Sequence, residues 1–184
     1  MDQATKFLVK GLKIPFGIDL GGIPYGSSRE FIGNFVKITF IENPGMAFGI
    51  SVLPKILLII ITIIASIIVL YFIYKYRNEG FLIRLSLCLI FAGAVGNLID
   101  RIFYGVIYKY APVFYGRVVD FVQVECWDFT ILGKTYTSWP ILNVADFSVT
   151  VGFLIILFFH KRLFKKHEEV QTAEITEAAD PQIN

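Results

Sequence analysis

The chain has 184 residues, 55% of them hydrophobic, and a formal net charge of only +2; its mean hydropathy is +0.65. That apolar share lies well above the average for soluble domains. The small charge, with basic residues gathered beside apolar runs rather than along one face, excludes a nucleic-acid binder.

The opening stretch MDQATKFLVKGLK carries Lys6, Lys10 and Lys13 with no apolar span ahead of it. No apolar h-region follows the lysines, so it is not a secretory signal peptide. Within residues 17–50, the alternating run from Phe35 to Ile41 predicts a half-buried strand, broken by Asn43-Pro44-Gly45. Two apolar runs follow, at about 52–76 and 81–105, each long enough to cross a bilayer, which takes roughly 20 helical residues. In segment 106–140, β-rich runs surround Gly133-Lys134 and predict a hairpin. A third span covers about 141–160, and the polar stretch 165–184 is expected to be a disordered tail. Cys88 and Cys126 are poorly placed to pair and read as packing residues. His160 and His167 read as a solvated basic flank.

Lys75, Arg77 and Arg84 flank the turn between the first two spans, and Lys161, Arg162, Lys165 and Lys166 follow the third. The positive-inside rule puts both groups, and the C-terminus, in the cytoplasm. Segments 17–50 and 106–140 then lie outside, with Trp127 and Trp139 at a depth that suits amphipathic rings. Three spans would leave the N-terminal lysines outside as well. Either the outside tolerates these lysines, or, as is the expectation, residues 1–16 are the remnant of a first span that mostly precedes Met1, lost by truncation or a misassigned start. The expected fold is a membrane α-helical bundle with a small extracytoplasmic β cradle, one domain over 1–164.

Polar residues inside the spans carry the functional signal, because a mid-bilayer carboxylate costs from about 2.5 kcal/mol upward. Asn143 and Asp146 share a helix face three residues apart. Asp146 is expected about 7–8 Å along the helix from Ile141. Asn97, Asp100 and Arg101 share a face of the second span, beside Gly93 and Gly96, whose small size would admit a neighbouring helix. Both clusters fall at the same outer depth. Asp100 with Arg101 could equally be a structural ion pair, and Asn97 and Asn143 could simply bond across helices. Asp120, in GRVVDFV, could be a solvated loop acid.

Two carboxylates brought together in a low-dielectric site share a proton. One can then act as general base on a water while the other protonates a substrate carbonyl. Such aspartic-peptidase chemistry uses no metal and no cofactor. Neither HExxH nor GxSxG occurs, and no histidine lies in the outer segments; a Ser–Lys dyad stays open. So do a small proton-coupled carrier with intramembrane acids and a structural membrane subunit.

The motifs DQATK (2–6), ENPGMAFG (42–49), GAVGNLIDRIFYG (93–105), GRVVDFV (116–122) and NVADFSVTVG (143–152) resemble, in order, those of lipoprotein signal peptidases, the bacterial membrane aspartyl peptidases also called signal peptidase II. The resemblance implies a four-helix bundle with an outer β cradle in the bacterial cytoplasmic membrane. It implies a monomer whose site faces outward and that cleaves prolipoproteins before a diacylglyceryl-modified cysteine. It assigns the catalytic pair to Asp120 and Asp146, and site-lining or supporting roles to Asn43, Asn97, Asp100, Arg101 and Asn143. Asp2 and Lys6 match a motif at the outer end of the family's first helix. The chain departs from the pattern in starting just before DQATK and in longer segments at 106–115 and 123–139.

Overall fold

A computed structural model describes residues 1–14, 18–45, 54–131 and 134–159. The expected tail and both histidines lie outside these residues.

Helix α1 (Asp2–Lys10) has an acid in its first turn and a lysine in its last, both favourable to the helix dipole. It ends at Gly11, whose φ of 77° is one that L side chains rarely adopt. Gly11 and Gly22 also let two backbones meet: a Cβ on Gly22 would lie 2.4 Å from the Lys10 carbonyl carbon. A short hairpin follows, β1 (Leu12–Ile14) on β2 (Ile18–Leu20).

Strands β3 (Ser28–Ile32), β4 (Val36–Asn43), β5 (Val118–Ile131) and β6 (Lys134–Ser138) form one antiparallel sheet in the order β3-β4-β5-β6. Both outer segments thus contribute to a single sheet. Ile131 pairs with Lys134, which fits the expected hairpin. The alternation expected along Phe35–Ile41 is interrupted: the register shifts between Ile38 and Ile41, and adjacent Thr39 and Phe40 are both buried. Where β4 meets the start of β5 the register is Ile41 opposite Asp120, Glu42 opposite Val119 and Asn43 opposite Val118.

Helices α2 (Lys55–Lys75) and α3 (Phe81–Ile107) are long and apolar enough to cross a membrane; α4 (Val144–Phe159) is a shorter apolar helix. Ile60, Ile64, Ile67 and Ile68 of α2 face outward, a surface matched to lipid rather than water. The α2–α3 turn, with Arg77, lies at one end; the start of α4 and the end of α3 lie at the other. Glycines seat α4 on α3: a Cβ on Gly93 would lie 2.3 Å from the Ala145 carbonyl oxygen, and one on Gly152 2.6 Å from that of Ser86. Cys88 is exposed on α3, so it is not the packing residue expected from sequence. The sheet rests on the end of the helices opposite the α2–α3 turn, through Val9, Phe40, Tyr104, Val119 and Phe121.

Candidate active site

The site is assembled around the first turn of α4. Asn143 precedes the helix, and its Oδ1 accepts the Asp146 N–H at 3.0 Å. Asp146 Oδ2 returns the bond by accepting the Asn143 N–H at 3.1 Å. This reciprocal arrangement is a capping box, which satisfies two otherwise orphaned donors. The expected span began at Ile141 and put Asp146 more than a turn inside it. Because the helix starts at Val144, Asp146 instead lies in its first turn, where the helix dipole favours a negative charge.

The capping bond also fixes the Asn143 amide. With Oδ1 on Asp146, its Nδ2 faces away and donates to Asp120 Oδ1 at 2.7 Å and to Asn97 Oδ1 at 3.1 Å. Asn97 is oriented from the other side. Lys6 Nζ, which can only donate, reaches Asn97 Oδ1 at 2.9 Å. The Asn97 Nδ2 is thereby turned onto Asp146 Oδ1 at 2.7 Å. Two amides thus tie Asp120 and Asp146 into one network, with Asn143 fully buried.

Asp120 enters from β5. Strand pairing sets its side chain on the same sheet face as Ile41 and Asn43. Asn43 Oδ1 accepts the Gly45 N–H at 2.8 Å in the turn that ends β4, and the Asn43 side chain hydrogen-bonds Asp120. Asp120 is only 3% exposed. Burial, reinforced by the Asp146 charge, pushes its pKa up to about 7 against the lowering effects of Asn143, Asn43 and Lys6.

Asp100 is bound elsewhere. It pairs with Lys6 at 2.8 Å, both side chains fully buried, and accepts from Gln3 at 2.8 Å and from the Val119 N–H at 3.2 Å. Its cation is therefore Lys6, not the adjacent Arg101. Arg101 makes one long contact, 3.5 Å to the Asn97 carbonyl. Its Nε is buried with no hydrogen-bond partner among the described residues.

The structure brings Asp120, Asp146, Asn43, Asn97 and Asn143 together, with Asp100 one lysine away. Reasoning from residue types alone had no role for α1. Asp2 accepts the Ala145 N–H at 2.9 Å, capping α4 from another helix, and pairs with Lys6 at 2.9 Å. Gln3 also accepts from the Tyr104 hydroxyl at 3.0 Å. The signal was one polar helix face, Asp2, Gln3 and Lys6, facing a span with its own polar face.

Two helices long and apolar enough to cross a membrane, with two carboxylates joined by amides at one end under a small sheet, give the architecture of a membrane protein with a polar site. A family model described as signal peptidase (SPase) II matches residues 1–161. The lipoprotein signal peptidase of Pelodictyon phaeoclathratiforme is 33% identical over 148 residues, covering 80% of this chain and 81% of that one. That of Chlorobium phaeobacteroides strain BS1 is 36% identical over 146 residues, covering 78% and 84%. That of Amoebophilus asiaticus is 33% identical over 202 residues, covering all of this chain and 81% of the relative. A bacterial membrane enzyme solved by the in meso method at 2.3 Å resolution superimposes with a TM-score of 0.62 at 33% identity, covering 88% of this chain and 80% of that one. The chain belongs to the signal peptidase II family, aspartic-type peptidases that remove signal peptides from prolipoproteins. Nothing in these similarities supports a proton-coupled carrier.

Proposed function

We propose that Asp120 and Asp146 are the acid–base pair with which this chain cleaves prolipoproteins, before a cysteine already carrying diacylglycerol. The observation that carries this is the shared amide network: Asn143 donates to Asp120 while capping and being capped by Asp146. Asp120, with its raised pKa, holds the proton at rest. Asp146, met by N–H donors from Asn97 and Asn143, takes a proton from the attacking water. The water oxygen adds to the scissile carbonyl carbon as Asp120 protonates the carbonyl oxygen. In collapse, Asp146 passes its proton to the leaving nitrogen as the C–N bond breaks, and a hydroxyl of the intermediate returns a proton to Asp120. Both residues end as they began. The unpaired Arg101 Nε is a donor for a substrate carbonyl near the cut.

The basic residues by the α2–α3 turn support a cytoplasmic location for that end and for the C-terminus. The dyad then faces outward in the bacterial cytoplasmic membrane, in a monomeric enzyme. Substrate lipid and signal helix would hold the scissile bond at that depth, which supplies orientation.

The test is cleavage of a diacylglyceryl-modified prolipoprotein in detergent, followed as a mass shift. Asp120→Asn and Asp146→Asn should each lower kcat by on the order of a hundredfold to ten-thousandfold in protein that still melts cooperatively. Cleavage that survives both changes would make the carboxylates structural.

A further inference from the structure

On the far side of β4 from Asp120 lies a second charged cluster with no part in the proposed chemistry. Lys10, the last residue of α1, reaches Glu42 Oε1 at 2.5 Å. Its ammonium also lies 3.9 Å from the ring centre of Tyr108, 4.7 Å from Tyr110 and 5.6 Å from Tyr104. The other oxygen, Glu42 Oε2, meets Arg117 Nη1 at 3.4 Å. Tyr110 closes the ring by accepting the Arg117 backbone N–H at 2.7 Å. Tyr108 donates to the Gly11 carbonyl at 2.9 Å, holding the end of α1. The Lys10 and Glu42 side chains are only 7% and 12% exposed.

Glu42 immediately precedes Asn43, and neighbouring strand residues face opposite ways. Asn43 and Asp120 thus share one face of the β4–β5 pair, and Glu42 the other. The final rung of that pair is Asn43 opposite Val118, and Arg117 is the residue before Val118. Glu42 therefore ties the last residues of β4 to the first of β5, and ties both to α1. Among the described residues, no rung beyond Asn43–Val118 holds the asparagine against Asp120.

We propose that Glu42, clamped by Lys10 and Arg117 within the tyrosine cage, is a positioning residue for proteolysis, holding Asn43 at hydrogen-bonding distance from Asp120. The proposal rests on Asp120 being half of the catalytic pair. Glu42 touches neither substrate nor Asp120 and acts through the strand. The Lys10–Glu42 pair, buried and caged by tyrosines, is stiff in a way a solvent-exposed pair is not; Arg117, its side chain 51% exposed, adds a weaker tie. Displacing a catalytic contact by about 1 Å costs on the order of a hundredfold in rate.

The experiment is steady-state cleavage of a diacylglyceryl-modified prolipoprotein in detergent by the full chain, per folded molecule, with Glu42→Gln, Lys10→Met, Lys10→Arg, the Glu42→Gln/Lys10→Met double variant and Tyr110→Phe. The first two should lower kcat by about ten- to a hundredfold with KM within about twofold. The double variant should fall no further than the worse single change, since both break one clamp. Lys10→Arg, which keeps the charge and the cation–π contact, should recover most of kcat. Tyr110→Phe loses one hydroxyl and keeps the ring, so it supplies a mild, foldable variant whose kcat should fall a few-fold at constant KM. Unchanged kcat in folded Glu42→Gln and Tyr110→Phe protein would overturn the proposal, as would a rise in KM alone. Asp120→Asn in the same assay separates the two ideas. If it stays active the acid–base assignment fails; if it is inert while the clamp variants keep their kcat, only the positioning role fails.

Discussion

Asp100 and Asp120 are both buried carboxylates, 0% and 3% exposed, and they belong to one chain of polar contacts running from Asp100 through Lys6, Asn97 and Asn143 to Asp120. Their surroundings differ in one respect. Asp100 has a buried ammonium at 2.8 Å. Asp120 has amide donors and a second carboxylate nearby, and burial outweighs what the amides return. A buried acid bonded to its own buried cation serves as structure. A buried acid offered only amides beside another acid is left with a proton that it can give up near neutral pH. The same two asparagines join these regions, so the ion-paired side orients the amides that meet Asp120 and Asp146.

The comparison breaks most visibly at Lys6. Lys6→Met leaves Asp2 and Asp100 without their shared cation, and breaking such a buried pair costs about 3–5 kcal/mol. The variant should melt far below the parent or fail to fold in detergent. Melting like the parent would show that Asp100 needs no cation.

Asp120→Asn should act in the opposite direction. With a folded-state pKa of about 7 against an ordinary 3.8, folded Asp120 binds more protons than unfolded Asp120, so its contribution to stability declines as pH rises between those values. The asparagine variant escapes that penalty. It should gain on the parent as pH rises through this window, with the full gain above about 7 and none below 3.8. The gain should be on the order of 1–3 kcal/mol, at roughly 2–4 °C of Tm per kcal/mol. A variant less stable than the parent at high pH would place Asp120 in the structural class with Asp100.

The same titration sharpens the comparison in kinetics. Because Asp120 must hold its proton to donate it, cleavage should decline as pH rises through about 7. A pH–rate profile flat across that value would remove Asp120 as the acid. The smallest effect belongs to the surface. Lys37 and Glu125 pair at 3.0 Å with 27% and 31% of their side chains exposed, so Lys37→Ala should change stability by less than about 1 kcal/mol and leave cleavage as it was.

Much of the candidate site was legible from residue types, because a carboxylate or amide in an apolar run stands out without knowledge of its neighbours. Asp146, Asn143 and Asn97 were visible for that reason. Asp120 was harder, since its segment is an ordinary β-rich run and its burial depends on a strand 77 positions away, as the Asp120–Asn43 contact shows. The adjacency of Asp100 and Arg101 could not tell a bond between them from partners on neighbouring helices: on a helix, consecutive residues point about 100° apart, and Asp100 pairs with Lys6 of α1. The roles of Gln3, Lys10 and Glu42 left no local mark, because each is defined by a partner on another element.

The sequence by itself determined the membrane class, the apolar stretches that form α2, α3 and α4 and the polar residues set within them. Those properties follow from local hydropathy and residue chemistry, and the ordered motifs pointed to the family. Only the tertiary structure decided which groups face each other. Lys6 meets Asn97 across 91 residues and Asn97 meets Asp146 across 49; hydrogen bonds act over about 3 Å, a scale on which sequence spacing carries no information once helices and strands from different segments pack together.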